Sequence, residues 1–292
     1  MNFTIVLVAH GTVANLDDLP AFVSEIRRGR PAPPELLNEL RSRYEAVGGS
    51  PLLASTQRLA RAVEARTGVP TRVAMRLWHP RIEDVVADLQ DDATLVLVPL
   101  APYSVSVYEA AARRSLDRLP RPPGLVAVRA WGEEPRLVRA WADRIRAIDP
   151  EEGRSGRAVV LSAHSLPRFI IDQGDDYART FESAARAVER ELGRPCTIAY
   201  QSQGAQEGEW LGPNLVETFE RLVQQGAQEV VVAPIGFLAE HIETLYDLDI
   251  EARAQASRLG LGFARVQTLD SDPALVETLA DLVAEAQARA RD

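Results

Sequence analysis

The sequence predicts an α/β protein built from two related halves, each a parallel sheet flanked by helices. Three observations carry that expectation. Short apolar runs rich in Val, Ile and Leu alternate with longer segments of helical periodicity. Those runs lack the in–out alternation of a half-exposed strand, as expected for strands covered on both faces. Three stretches also recur in the same order: IVLVAHGT (5–12) returns as VVLSAHSLP (159–167), residues 71–78 return as 197–203, and TLVLVPLAPY (94–103) returns as EVVVAPIGF (229–237). One such echo is within chance; three in register imply a duplicated unit.

The elements follow in order. Residues 3–9 form a strand that ends in His10, Gly11 and Thr12, and a helix follows over 17–28. Residues 27–53 are unusual: they hold Arg27, Arg28, Arg30, Arg41 and Arg43, three prolines near their start and Gly48-Gly49-Ser50-Pro51 at their end. That composition gives a turn, a helix over about 34–47 and a loop. A helix over 52–67, a strand over 71–77, a helix near 81–90, a strand over 94–99, a helix over 105–118, a short strand over 126–130 and a helix over 135–148 complete the first half. The polar stretch 149–157, DPEEGRSGR, is the expected linker, dividing the chain into 1–150 and 157–292. In the second half, the strand at 229–233 is broken by Pro234 and Gly236, a helix is expected from 238 or 239, and an amphipathic helix over 272–291 closes the chain.

Composition narrows the function. With 292 residues and 46% hydrophobic content the chain can bury a sizeable core. A net charge of −9 argues against nucleic acid as a partner. A single cysteine, Cys196, excludes an intramolecular disulfide framework and a Cys-ligated iron–sulfur cluster. No signal peptide and no uninterrupted membrane-length apolar run is apparent, so the expected setting is the cytoplasm. There is no Walker A loop, no dinucleotide glycine fingerprint and no nucleophile elbow around Ser165, so no nucleotide cofactor is expected.

Three features bear on chemistry. On a regular helix Glu243, Asp247 and Glu251 recur every four residues and share one face, about 6 Å apart at ~1.5 Å rise per residue. Such a ladder is either a solvated acidic face or a cation-handling one. Its place just past the end of a buried strand, where α/β folds put their sites, favours the second. His10 and His164 sit at equivalent strand ends in the two halves, with His241 opening the acidic helix and His79 before a proline. His164 with Glu243 would supply one imidazole and one carboxylate, a mixed set suited to Fe²⁺ or Co²⁺ rather than Ca²⁺ or Mg²⁺. A histidine can also accept protons near neutral pH. The arginine-rich segment is either a solvated surface helix or a rim that receives carboxylates or phosphates.

The motifs LSAHSLP (161–167), YQSQG (200–204), WLGPNLVETF (210–219) and PIGFLAEHIETLYDLDIE (234–251) resemble the ferrochelatases, in that order and at matching spacing. Residues 26–53 and WHPRIEDVV (78–86) add matches in the first half, so the resemblance covers nearly the whole chain. It implies a two-half Rossmann-like, chelatase-like fold with a porphyrin in the cleft between the halves. The implied reaction is insertion of Fe²⁺, the substrate metal, with release of two protons in haem biosynthesis. His164 matches the family's site histidine and Glu243 its partner glutamate, while Asp247 and Glu251 match an acidic line that feeds or holds metal. Arg27, Arg43, Tyr44, Ser50 and Tyr108 match porphyrin-holding positions of the coproporphyrin-type branch. His10 falls where that branch has a tyrosine, which leaves it as an axial ligand, a base or a holdover from smaller chelatases. The segment 100–108 is also shorter than in that branch. A polar, arginine-rich rim favours coproporphyrin III over protoporphyrin IX, with other haem-pathway enzymes as partners. The competing expectations are a sirohydrochlorin cobalt or iron chelatase and a non-catalytic tetrapyrrole carrier.

Overall fold

A computed structural model describes residues 2–87, 89, 93–149, 156–204 and 208–291. The chain divides into two compact units, one of residues 1–131 with 270–292, the other of residues 132–269.

The first unit holds a four-stranded, all-parallel sheet in the order β2-β1-β3-β4. Its strands are β1 (Asn2–Ala9), β2 (Thr71–Met75), β3 (Ala93–Pro99) and β4 (Gly124–Ala127). Ile5, Val6, Leu7 and Val8 are fully buried, as a central strand covered on both faces requires. A 3₁₀ turn at Leu16–Asp18 leads into α1 (Leu19–Ile26), and α2 (Pro34–Ala46) and α3 (Leu52–Thr67) follow. Then α4 (Ile82–Ala87) packs on α5 (Val105–Leu116).

The second unit repeats the plan. Its sheet runs β6-β5-β7-β8, again all parallel, from β5 (Arg157–His164), β6 (Thr197–Gln201), β7 (Glu229–Ala233) and β8 (Gly262–Arg265). Around it lie α6 (Pro135–Ile148), α7 (Arg168–Asp172), α8 (Tyr177–Leu192) and α9 (Leu215–Gln224). In α8, Tyr177, Phe181, Ala184, Ala185, Val188 and Leu192 recur at helical spacing and form the buried stripe, which packs on α6. α9 is started by a capping box: Asn214 accepts from the Glu217 amide at 3.0 Å, and Glu217 accepts from the Asn214 amide at 2.9 Å. After α9 and β7 come α10 (Ile242–Leu245), a π-helical turn (Asp247–Ala252) and α11 (Arg253–Arg258). The last helix, α12, spans Pro273–Arg291.

The three sequence echoes are thus β1/β5, β2/β6 and β3/β7, and the identical strand order makes the duplication structural. A fourth echo is weaker in sequence. β4 and β8 are four-residue edge strands that begin on a glycine, Gly124 opposite Thr94 and Gly262 opposite Glu229. A Cβ on Gly262 would stand 2.5 Å from Glu229 Cγ, so the close approach selects glycine.

Three expectations are corrected. The division at 1–150 and 157–292 differs from the units at both ends, because α6 packs on α8 and β7 of the second unit whereas α12 packs on α3, β3 and β4 of the first. The expected linker is anchored at both edges: Asp149 is fully buried, its carboxylate accepts from Arg157 and is ion-paired with Arg194, while residues 150–155 lie outside the described residues. The helix expected from 238 or 239 begins at Ile242, because residues 234–241 form a loop over the end of β5.

Candidate active site

The site is assembled at the carboxyl end of the second sheet. β5 lies between β6 and β7, so the chain's direction of progress across the sheet reverses beside it, where open α/β sheets place their ligands. His164 is the last residue of β5 and pairs in register with Gln201, the last of β6. The segment after β7 then doubles back. The Gly236 amide donates to the Ser162 carbonyl at 3.0 Å, and a Cβ at Gly236 would stand 2.5 Å from Ala163 Cβ and 2.6 Å from its Cα. Only glycine allows this approach, which delivers α10 to the end of β5.

There His164 Nε2 lies 3.5 Å from Glu243 Oε1, and His241 Nε2 lies 3.4 Å from Glu243 Oε2. Glu243 therefore sits between two imidazoles. The His164 and Glu243 side chains are each 32% exposed, shielded yet open to solvent on one side. Burial is the largest influence on His164 and disfavours its charged form, but the charge and hydrogen bond of Glu243 outweigh it and hold the pKa above the ordinary histidine value. Burial likewise works against the Glu243 carboxylate, and His164 and His241 overcome it, holding the group well below the usual range. Each group thus favours the charged form of the other.

Further contacts fix the geometry. Tyr177 donates its hydroxyl to the His164 carbonyl at 2.9 Å. Gln201 is buried, accepts from Ser162 Oγ at 2.7 Å and donates to the Glu243 carbonyl at 3.1 Å. Ser202, with φ of 59°, donates to Asp247. Gln201 and Ser202 lie within YQSQG, a motif visible in the sequence, but their tie to the acidic segment is a product of the fold. His241 was visible as the residue opening the acidic segment; its second contact to Glu243 was not.

The acidic ladder is altered by the backbone. The Glu251 amide donates to the carbonyl of Tyr246, five residues back, at 3.0 Å. That π-helical turn breaks the four-residue spacing on which a shared face depended. Among the described residues no three or more His, Cys, Asp or Glu side chains are placed to hold a metal ion. His164, Glu243, Asp247 and Glu251 are consequently not a preassembled ligand shell. Asp247 and Glu251 continue along a half-buried turn from the His164–Glu243 pair.

In the first unit, His10 occupies the position equivalent to His164, exposed at the end of β1. Two residues on, Thr12 Oγ1 lies 3.1 Å from the Tyr44 hydroxyl, which brings α2 to that strand end. Arg43 is half-buried and donates to Glu39 at 2.7 Å. Arg27 Nε and Ser50 Oγ are both buried and make no hydrogen bond. Tyr108 is placed differently: its ring lies in the core cluster with Ile82, Val86 and Leu95, and the Arg76 guanidinium stands 5.5 Å from its centroid.

Two parallel sheets of the same strand order, one in each unit, make a chelatase-like fold. Among solved structures, SirB from Bacillus subtilis with Fe³⁺ is similar at 15% identity and a TM-score of 0.62, covering 100% of this chain and 98% of that one. A multi-domain protein of Deinococcus radiodurans, described as structurally similar to chelatases, is similar at 17% identity and a TM-score of 0.60, with 98% of this chain and 55% of that chain covered. These likenesses concern the fold. The sequence decides the family: a family model described as Ferrochelatase matches residues 2–287, and the chain belongs to that family. The chain is 34% identical to a ferrochelatase of Thermus thermophilus, covering 98% of this chain and 99% of the relative. It is 33% identical to a coproporphyrin III ferrochelatase of Geobacillus kaustophilus, over 96% of this chain and 94% of the relative.

Proposed function

We propose that this chain inserts Fe²⁺ into coproporphyrin III, with His164 and Glu243 as the proton-handling pair and the arginine-rich segment as the holder of the porphyrin carboxylates. The reaction replaces two pyrrole N–H bonds by bonds to iron and releases two protons. His164 takes a proton from the macrocycle nitrogen, and the imidazolium that results is stabilised by Glu243. Both side chains keep a solvent-facing edge, which gives each proton a way out before the next is taken. His241 on the far side of Glu243 supplies a second imidazole for that transfer. Asp247 and Glu251 extend negative charge along the turn and draw Fe²⁺ toward the pair.

The observation that carries the choice of substrate is the unmet hydrogen-bonding capacity of Arg27 Nε and Ser50 Oγ. A buried guanidinium N–H with no partner is costly, and a carboxylate satisfies it. Coproporphyrin III brings four carboxylates and protoporphyrin IX two. Tyr44 and Arg43 belong to the same segment, and His10 serves as a base or as a ligand to the inserted metal, while Tyr108 stays in its core cluster with Arg76 over its ring. The likeness to SirB concerns the fold alone, and the HIETLYD segment separates this chain from a sirohydrochlorin reading.

The experiment is anaerobic turnover with Fe²⁺ on each porphyrin, followed by absorption. At least ten-fold higher kcat/KM on coproporphyrin III is expected. Equal or better turnover of protoporphyrin IX would overturn the substrate, and stoichiometric uptake without turnover would favour a carrier.

A further inference from the structure

Arg265 closes β8 and binds two carboxylates of the segment that follows β7. Its side chain is 8% exposed. Nε and Nη2 donate to the two carboxylate oxygens of Asp249, each at 2.7 Å. Nη1 donates to Glu240 Oε1 at 2.8 Å. Glu240 is further held by the Thr268 amide at 3.0 Å and by the Thr244 hydroxyl at 2.7 Å. Thr244 is fully buried, and its oxygen accepts from the His241 amide at 3.0 Å.

The two carboxylates that Arg265 grips bracket the site segment. Glu240 precedes α10 and Asp249 lies within the π-helical turn. His241, Glu243 and Asp247 all fall between them. A π-helical turn carries one residue more than an α-turn, with poorer hydrogen bonding, and it can relax by shifting register. A one-residue shift on an α-helix rotates a side chain by about 100°, from 3.6 residues per turn. That rotation would carry Glu243 or Asp247 off its present direction. A planar fork bound to two carboxylates at fixed spacing opposes the shift, and a lysine at the same position cannot reproduce it.

We infer that Arg265 is a positioning residue for iron insertion: by spanning Glu240 and Asp249 it locks the π-helical register that aims Glu243 and Asp247. The lock rests on the functional reading above, but its structural half stands apart from it. Arg265 touches neither His164 nor Glu243, so its effect passes through the backbone.

The test compares R265K, D249N and a control, R157K, in the full chain. Arg157 is likewise bound to two carboxylates, Asp149 and Glu229, but at the first residue of β5. That is seven residues from His164, about 23 Å along a strand. Amide hydrogen exchange over residues 247–252, porphyrin affinity and kcat for Fe²⁺ insertion are measured for each. R265K and D249N are expected to speed exchange in that turn ten-fold or more and to lower kcat ten-fold or more, with porphyrin Kd within two-fold of wild type. R157K is expected to lower Tm while keeping kcat and the turn's exchange within two-fold. Should R265K fail to fold, D249N decides, since it leaves the Arg265–Glu240 contact in place. Unchanged exchange and kcat in a folded R265K or D249N, or equal losses in R157K, would overturn the lock. A wild-type chain without insertion activity would overturn the functional reading and leave the exchange result to judge the lock alone.

Discussion

At the scale of single residues the centre of the site is Glu243, because it is shared. His164 stands on one side of it and His241 on the other, and the carboxylate keeps its charge because both imidazoles oppose the cost of burial. Truncating the charge while keeping the shape isolates that role. E243Q is expected to lower insertion by 10²-fold or more, the scale of a lost proton-transfer group, with porphyrin binding retained; anaerobic absorption kinetics and porphyrin titration check it. The same variant carries a pH signature. His164 is raised in the folded state, so its stabilisation is full below the unfolded value near ~6.5 and is lost as pH climbs through the folded value. Glu243 is depressed, so its contribution is present above its unfolded value near ~4.3 and is lost as pH falls through the folded one. Wild type should therefore be less stable at pH 8.5 than at pH 5.5 by an amount that shrinks in E243Q, read from urea unfolding at both pH values.

At the scale of elements, what places α10 is the loop of residues 234–241 and not the helix itself. Gly236 lies against the backbone of β5 with no room for a methyl group. Gly236→Ala is expected to cost about 1–3 kcal/mol, as overpacking does, and to reduce insertion by moving Glu243 off His164. Chemical denaturation and turnover measured together check both effects. The long elements could be read from the sequence. α3 and α6 fall at 52–67 and 135–148 as their periodicity and flanking residues require. The proximity of His164 and Glu243 was legible too, because His164 ends one buried strand and Glu243 follows another after a short break. Harder were β4 and β8, four-residue edge strands opened by glycine, where neither length nor alternation speaks. Harder still was the π-helical turn: nothing in the spelling of YDLDIE distinguishes five-residue hydrogen bonding from four, since the constraint comes from Arg265 in a different element. A periodicity argument assumes a regular helix and places Glu251 accordingly; the tertiary clamp overrules it.

At the scale of the whole molecule, the duplication seen in the sequence is real in strand order but not in chain accounting. Each sheet is completed by four parallel strands, while α6 and α12 are exchanged relative to a simple split of the chain. α12 buries Leu275, Val276, Leu279, Leu282, Val283 and Ala286, and it contacts α3, β3 and β4. Its stay in the first unit is reinforced by ion pairs from Arg66 to Glu277 at 2.6 Å and from Arg129 to Glu285 at 3.1 Å. Removing residues 270–292 is expected to unfold the first unit while the second keeps its structure. Limited proteolysis with fragment mapping checks this: protection confined to 132–269 is the expected pattern, and an intact first unit would contradict it.

The chain order of α12 also has a bearing on biosynthesis. A ribosome delivers residues from the N-terminus at about 5–20 per second, and domains tend to fold as they appear. Here residues 1–131 emerge early but stay without their closing helix until every residue of the second unit has been made. During that interval the apolar stripe that α12 later covers is open to water and to any holdase in reach. The inserted unit, whose residues are contiguous, has no such wait. Nascent chains halted before residue 273 should thus carry a finished second unit and an unfinished first one, and the stretch translated after the second unit is the one that seals the first.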